Sequence, residues 1–116
     1  IDAPCTGTGV IARRPDIRWR REDSDFNSMN DIQTNMLNNM SKYVKSKGTI
    51  VYATCSLEKE ENWNVVNSFL ELNDNFIIKT KKDFAPKKWI NEKKCLETFP
   101  PYDKVDGMFA VYIEKI

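Results

Sequence analysis

The chain has 116 residues, 41% hydrophobic and 30% charged, with 18 basic side chains against 17 acidic ones. That composition supports one small domain with a core and excludes a disordered tail or a polycationic arm. No apolar run approaches the ~20 residues of a membrane-crossing helix. Three cysteines and no histidine exclude histidine-based triads and give neither a disulfide framework nor a zinc-binding spacing. Cysteine is therefore the nucleophile to look for, and no metal is expected.

In chain order, Ile1-Asp2 before Pro4 reads as the last step of a strand. The start without Met, with no secretory signal pattern, reads as a piece of something longer; a processed complete domain is the alternative. Pro4–Gly9 is a turn in which Gly7 and Gly9 permit unusual backbone angles or a close approach. All five arginines then fall within Arg13–Arg21, around Trp19. A helix is predicted from about Asn30 to Lys47, with Ile32, Met36, Leu37, Met40, Tyr43 and Val44 at helical spacing and Gly48 as its stop.

Thr49–Ala53 is β-branched and aromatic and predicts a buried strand. A second helix is predicted from about Glu58 to Leu72, with Glu58, Glu60 and Glu61 at its N-terminal end and Val65, Val66, Phe69 and Leu70 on one face. Phe76-Ile77-Ile78 begins another strand. Seven lysines between Lys79 and Lys94, against Asp83 and Glu92, give that segment a net charge of +5. Cys95 lies in this polar stretch with no evident role. The apolar Met108–Ile113 predicts a final strand docked into a sheet. Alternating strands and helices indicate an α/β sheet with crossover helices, whose ligands gather beyond the strand carboxyl ends. Asp2–Cys5 and Thr54–Ser56 both lie at such ends, so Cys5 and Cys55 are expected over one cleft.

The spacing leaves both cysteines open. Cys5 heads a Cys-Thr-Gly-Thr-Gly loop but lacks the arginine of a cysteine phosphatase and the Gly-Lys-Ser/Thr of a nucleotide loop; a small buried thiol is the plain alternative. Cys55, between a strand and a helix, could be activated by helix-terminal dipoles, whereas the glutamates behind it oppose a thiolate. Arg13, Arg14, Arg18 and Trp19 combine forked phosphate donors with a stacking platform, as RNA binding requires. The plain alternative for these residues is a solvated loop.

Three motifs, in order, resemble the RNA (cytosine-5)-methyltransferases of the RsmB/Sun type. They are Asp2-Ala3-Pro4-Cys5-Thr6-Gly7-Thr8-Gly9 with Arg14-Pro15-Asp16-Ile17-Arg18-Trp19, then Tyr52-Ala53-Thr54-Cys55-Ser56 with Glu60-Glu61-Asn62, then Asp106-Gly107-Met108-Phe109. The arginine motif is most similar to the bacterial enzymes acting on small-subunit ribosomal RNA. The resemblance implies that residues 1–116 form the C-terminal half of a class I (Rossmann-like) methyltransferase sheet, with an antiparallel last strand between two others. It implies S-adenosylmethionine as cofactor, locally single-stranded ribosomal RNA as partner, a cytoplasmic location and no membrane role.

By the same resemblance Cys55 is the nucleophile, Cys5 assists product release, and Asp2 lies beside the cofactor and the target base. The family's glycine-rich cofactor loop, its ribose-binding acid, its catalytic lysine and its N-terminal RNA-binding domain correspond to no residue here. This chain alone is therefore expected not to turn over. A non-catalytic RNA-binding module on the same half-fold, and a DNA cytosine-5 methyltransferase attacking through Cys5, are the alternatives.

Overall fold

The structure, a computed structural model, describes residues 1–116. A 3-10 turn at Thr8–Val10 leads to a one-turn helix α1 (Ile17–Arg20) and then to the long helix α2 (Asp23–Ser41). Strand β1 (Thr49–Thr54), helix α3 (Trp63–Leu72) and strand β2 (Phe76–Ile78) follow. Strand β3 (Leu96–Thr98), the short α4 (Pro100–Asp103) and strand β4 (Met108–Lys115) complete the chain. No helix is long and apolar enough to cross a membrane.

The last strand is the centre of the sheet. β4 pairs antiparallel with β1, from Thr49 opposite Glu114 to Thr54 opposite Phe109. Its other edge carries two strands end to end: β2 opposite Ile113–Lys115 and β3 opposite Met108–Ala110. On the far edge of β1 the chain start pairs parallel, Asp2 with Ala53, and the Ala3 amide and Ile1 carbonyl both bond to Ala53 at 2.9 Å. The predicted half-sheet and its antiparallel last strand are therefore observed.

Strand alternation sends Ile50, Tyr52 and Thr54 of β1 and Phe109, Val111 and Ile113 of β4 to one face. Both long helices cover that face, contributing Leu37 from α2 and Val65, Val66 and Phe69 from α3 to one continuous core. Its rings meet edge to face, Phe69 with Phe76 at 5.1 Å and Tyr52 with Phe109 at 6.4 Å, a favourable quadrupolar arrangement. The lysine-rich segment crosses the opposite face, where Phe84 meets Tyr112.

Three expectations are corrected. Helix α2 covers Asp23–Ser41, starting and ending earlier than predicted. A capping box between Glu22 and Asp25 opens it, and acidic residues suit its first turn. Beyond Ser41 the chain turns back through Lys47 at φ 62, with the Gly48 amide on the Lys45 carbonyl at 2.8 Å. The inward face of α2 is Gln33, Leu37 and Ser41, whereas Ile32, Met40 and Tyr43 are exposed.

Helix α3 starts at Trp63, not Glu58, because residues 58–62 form a turn and Asn62 has a non-helical backbone (φ −109, ψ −99). Cys95, read as incidental in a polar loop, is fully buried in the core. The Asn91 side chain accepts its amide at 3.0 Å and the Asn91 amide bonds its carbonyl at 2.8 Å, which turns the thiol inward.

Phe109 is 1% exposed on the central strand, where truncation leaves a cavity that neighbouring strands cannot close. Phe109→Ala is expected to cost about 3–5 kcal/mol of unfolding free energy, read as a lowered denaturant midpoint.

Candidate active site

The site forms where the chain start and β1 end side by side. The Sγ atoms of Cys5 and Cys55 lie 3.1 Å apart, within S–H···S distance, so the two cysteines meet as the strand ends predict. Two glycines make this approach possible. Gly7 adopts φ 76, left-handed backbone that favours glycine. Gly9 passes so close to β1 and to the β4 entry that a Cβ would collide with the Cys55 and Gly107 carbonyl oxygens. Its amide bonds the Cys55 carbonyl at 2.8 Å and its carbonyl accepts the Gly107 amide at 2.7 Å, so the third motif braces the first two from below.

Hydrogen bonds hold the peptide groups around each thiol. On the Cys5 side, Gln33 Nε2 donates to the Pro4 carbonyl at 2.8 Å, and Arg21 Nε donates to the Thr6 carbonyl at 2.9 Å. On the Cys55 side, Asn62 Nδ2 donates to the Ser56 carbonyl at 2.8 Å, and Thr54 Oγ1 donates to Asn62 Oδ1 at 2.5 Å. Between the two runs lies the carboxylate of Glu61, fully buried. Its Oε1 accepts the Thr6 amide at 2.8 Å and Gln33 Nε2 at 3.2 Å. Its Oε2 accepts Thr6 Oγ1 at 2.7 Å and also Ser56 Oγ. None of the ion pairs of the structure includes it.

Glu61 and Gln33 are the buried polar residues of the site that the sequence reading missed. The signal was present for Glu61, within the Glu60-Glu61-Asn62 that follows the Thr-Cys-Ser motif, but it was assigned to a helix N-terminus. Glu58 remains near the surface. Its carboxyl is raised above its ordinary range by desolvation, then by the charges of Glu60 and Glu61.

A cavity of about 230 Å³ opens over the thiols, lined by Cys5, Cys55, Gly7 and the arginine loop. Of the expected RNA contacts, Arg14 lines it. Arg13 instead pairs with Asp106, and Arg18 stacks on Trp19 at 5.5 Å, with Trp19 81% exposed. Arg20 and Arg21, not singled out beforehand, also line the cavity. The cleft thus joins two thiols to three arginines, one of them, Arg20, paired with Asp16 at 3.2 Å, a place where a nucleophile and an anionic ligand could meet. Asp2 is exposed at the outer edge of β1, between Ile1 and Ala3, whose backbone groups both bond to Ala53.

A central antiparallel last strand, crossover helices on one face and paired cysteines at adjacent strand ends define a Rossmann-like methyltransferase half-fold. The chain belongs to the RsmB/F family of 16S rRNA methyltransferases, whose family profile matches residues 1–114. The ribosomal RNA small subunit methyltransferase B of Enterobacter sp. (strain 638) is 37% identical over 115 residues, 99% of this chain and 25% of that protein. The crystal structure of NSun6 from Pyrococcus horikoshii with SFG, an S-adenosylmethionine analogue, is similar at TM-score 0.80 and 25% identity, over 99% of this chain and 29% of that one. A methyltransferase homolog protein, also from Pyrococcus horikoshii, reaches TM-score 0.76 at 28% identity, over 100% of this chain and 38% of that one. The chain spans about a quarter of the length of the curated relatives it matches. Enzymes of this family use S-adenosylmethionine.

Burial, and then the hydrogen bond with Cys55, push the Cys5 thiol up from 9.0 to about 12. The unfolded chain releases that proton near the ordinary thiol value while the folded chain keeps it. The resulting stability is complete below pH 9 and is lost as pH rises toward 12. Denaturant titrations at pH 8.5 and 11 are expected to show a smaller loss of stability for Cys5→Ala than for the unaltered chain.

Proposed function

We propose that this chain is the C-terminal part of the catalytic domain of an enzyme that methylates carbon 5 of a cytosine in ribosomal RNA through a covalent cysteine–RNA intermediate. The observation that carries the reading is the 3.1 Å approach of Cys5 and Cys55 beneath an arginine-lined cavity. Family membership and the S-adenosylmethionine analogue named with the archaeal neighbour support the methyl-transfer class. A cytoplasmic location follows from ribosomal RNA as the substrate.

Carbon 5 of cytosine is a weak nucleophile. The Cys55 thiolate adds to carbon 6, and the ring electrons move toward carbon 5 as an enamine. S-adenosylmethionine, when bound, supplies the methyl group. A base then takes the proton from carbon 5, the carbon 6–sulfur bond breaks, and its electron pair returns to Cys55 as thiolate. Cys5, in contact with Cys55 and held as a thiol, supports this elimination by hydrogen bonding to the departing sulfur. Asp2 accepts a hydrogen bond from the cofactor or the target base, and its exposed carboxylate at the strand end fits that role. The other cofactor contacts come from the earlier half of the domain.

The base must leave its stack to reach the thiols, which favours a locally single-stranded site. Arg14, with Arg20 and Arg21, holds flanking phosphates at the cavity, and Arg18 with Trp19 offers an outlying stacking platform; Arg13 braces the loop through Asp106.

In the intact enzyme, Cys55→Ser is expected to abolish both methyl transfer and the RNA adduct seen on denaturing gels. Cys5→Ser is expected to slow turnover while the adduct persists; loss of the adduct in Cys5→Ser alone would exchange the two roles. The isolated 116-residue chain, with only a short parallel partner on the outer edge of β1, is expected to bind S-adenosylmethionine negligibly and to self-associate. Calorimetry and sedimentation check this, and a monomer with micromolar cofactor affinity would contradict it.

A further inference from the structure

Each thiol is followed directly by a hydroxyl residue, Thr6 after Cys5 and Ser56 after Cys55. Both hydroxyls donate to the same atom, Oε2 of Glu61, while Oε1 takes the Thr6 amide. The arrangement has few degrees of freedom. Thr6 is held at its amide, its hydroxyl and, through Arg21, its carbonyl, and Ser56 is held at its hydroxyl and, through Asn62, its carbonyl. Two segments separated by fifty residues are thus joined through one side chain of a third. A buried carboxylate without a cation persists only when its acceptor sites are filled by donors, and these sites are filled by the residues beside the thiols.

We propose that Glu61 is a positioning residue that sets the distance between the Cys5 and Cys55 sulfurs, and so governs release of the methylated RNA rather than its capture. This rests on the proposed covalent mechanism. Capture needs only Cys55, at the end of a strand paired along its whole length with β4. Release needs Cys5 brought to that sulfur. The backbone on either side of the Cys5 loop is tied to the end of β1 through Ala3 and Gly9, and next to the thiol itself the tie is Thr6 on Glu61. Loosening the clamp frees the loop more than the strand, so the second half of the reaction is the half that suffers.

What the clamp requires of Glu61 is an acceptor at Oε1 and a partner for two hydroxyls at Oε2; the charge itself is dispensable. A glutamine oriented with its oxygen at the first position accepts the Thr6 amide and Gln33. Its amide nitrogen then donates to the two hydroxyls, which rotate to accept. Alanine fills neither position.

The test uses the intact enzyme with Glu61→Gln, Glu61→Ala and the milder Ser56→Ala, which cuts only one arm of the clamp. Turnover and the covalent RNA adduct are followed together. Bridging of Cys5 to Cys55 by dibromobimane, which becomes fluorescent when it joins two neighbouring thiols, reports their separation without RNA. Glu61→Gln is expected to keep turnover, adduct lifetime and bridging close to those of the unaltered enzyme. Glu61→Ala is expected to lose turnover on the order of 100-fold, the scale of an ångström-sized misplacement, while the adduct still forms and outlives that of the unaltered enzyme. Bridging slows in the same variant, and Ser56→Ala shifts all three readouts in the same direction by less.

A Glu61→Gln variant as impaired as Glu61→Ala would overturn the proposal, because charge would then be the requirement. Parallel loss of adduct and turnover in Ser56→Ala would overturn it too, because the effect would be general destabilisation. An adduct that survives Cys55→Ser would refute the covalent mechanism itself, whatever the Glu61 variants do.

Discussion

A carboxylate buried without a counter-ion imposes a strict condition on its surroundings. Every lone pair that water would have satisfied has to find a donor in the protein, or several kcal/mol are lost, as is typical of such groups. Glu61 meets the condition with donors from three separate parts of the chain: Thr6 of the first loop, Gln33 of α2 and Ser56 beyond β1. The neighbouring Glu61 carbonyl accepts the Tyr52 hydroxyl at 2.7 Å, and the Glu60 carbonyl accepts Asn30 Nδ2 at 2.5 Å. The turn at 58–62 is therefore the point where the sheet, the long helix and the glycine-bearing loop are fastened together. The two cysteines are a by-product of that fastening as much as of the sheet.

The same burial shapes the chemistry. A thiol in a partly desolvated cleft keeps its proton, and Cys5 does so up to about 12. A group that stays neutral next to a reacting sulfur can donate a hydrogen bond to it without competing for the electrophile. Sequence order alone makes Cys5 and Cys55 equivalent candidates, each a cysteine next to a hydroxyl residue at a strand end. Their surroundings separate them: one stands on a turn tied down at Pro4, Thr6 and Gly9, the other at the end of a strand bonded along its length. Arg14, Arg20 and Arg21 line the cavity, with Asp16 paired to Arg20 among them, so the lining carries a net positive charge that attracts an anionic ligand.

Much of this was legible in the sequence, and the failures have physical causes. β-branched and aromatic runs located β1, the start of β2 and β4, because those strands are buried and apolar. Motif spacing placed both cysteines at strand ends. The face of α2 was misread because apolar periodicity selects Ile32 and Met40, whereas the buried positions are Gln33 and Ser41. Gln33 is inside because Glu61 and the Pro4 carbonyl need donors there, a demand no periodicity displays. Glu61 reads as one of three acids at a helix N-terminal end because hydropathy cannot register a carboxylate whose partners lie 28 and 55 residues away. β3 escaped notice since three residues in a lysine-rich stretch show no alternation, and its pairing with β4 is decided by tertiary contact. The arginine cluster was recognised as a unit, but its division into cavity-lining, ion-paired and stacked members depends on the one-turn helix α1.

The central claim is that the sulfur at the end of β1, and not the one on the glycine-bearing loop, forms the bond to RNA. The direct measurement is mass-spectrometric mapping of the adduct that the intact enzyme forms with RNA carrying 5-fluorocytosine at the target position, where the fluorine blocks proton removal and arrests release. The account predicts a single RNA-modified peptide containing Cys55, with Cys5 recovered unmodified. A modified peptide containing Cys5 would contradict it.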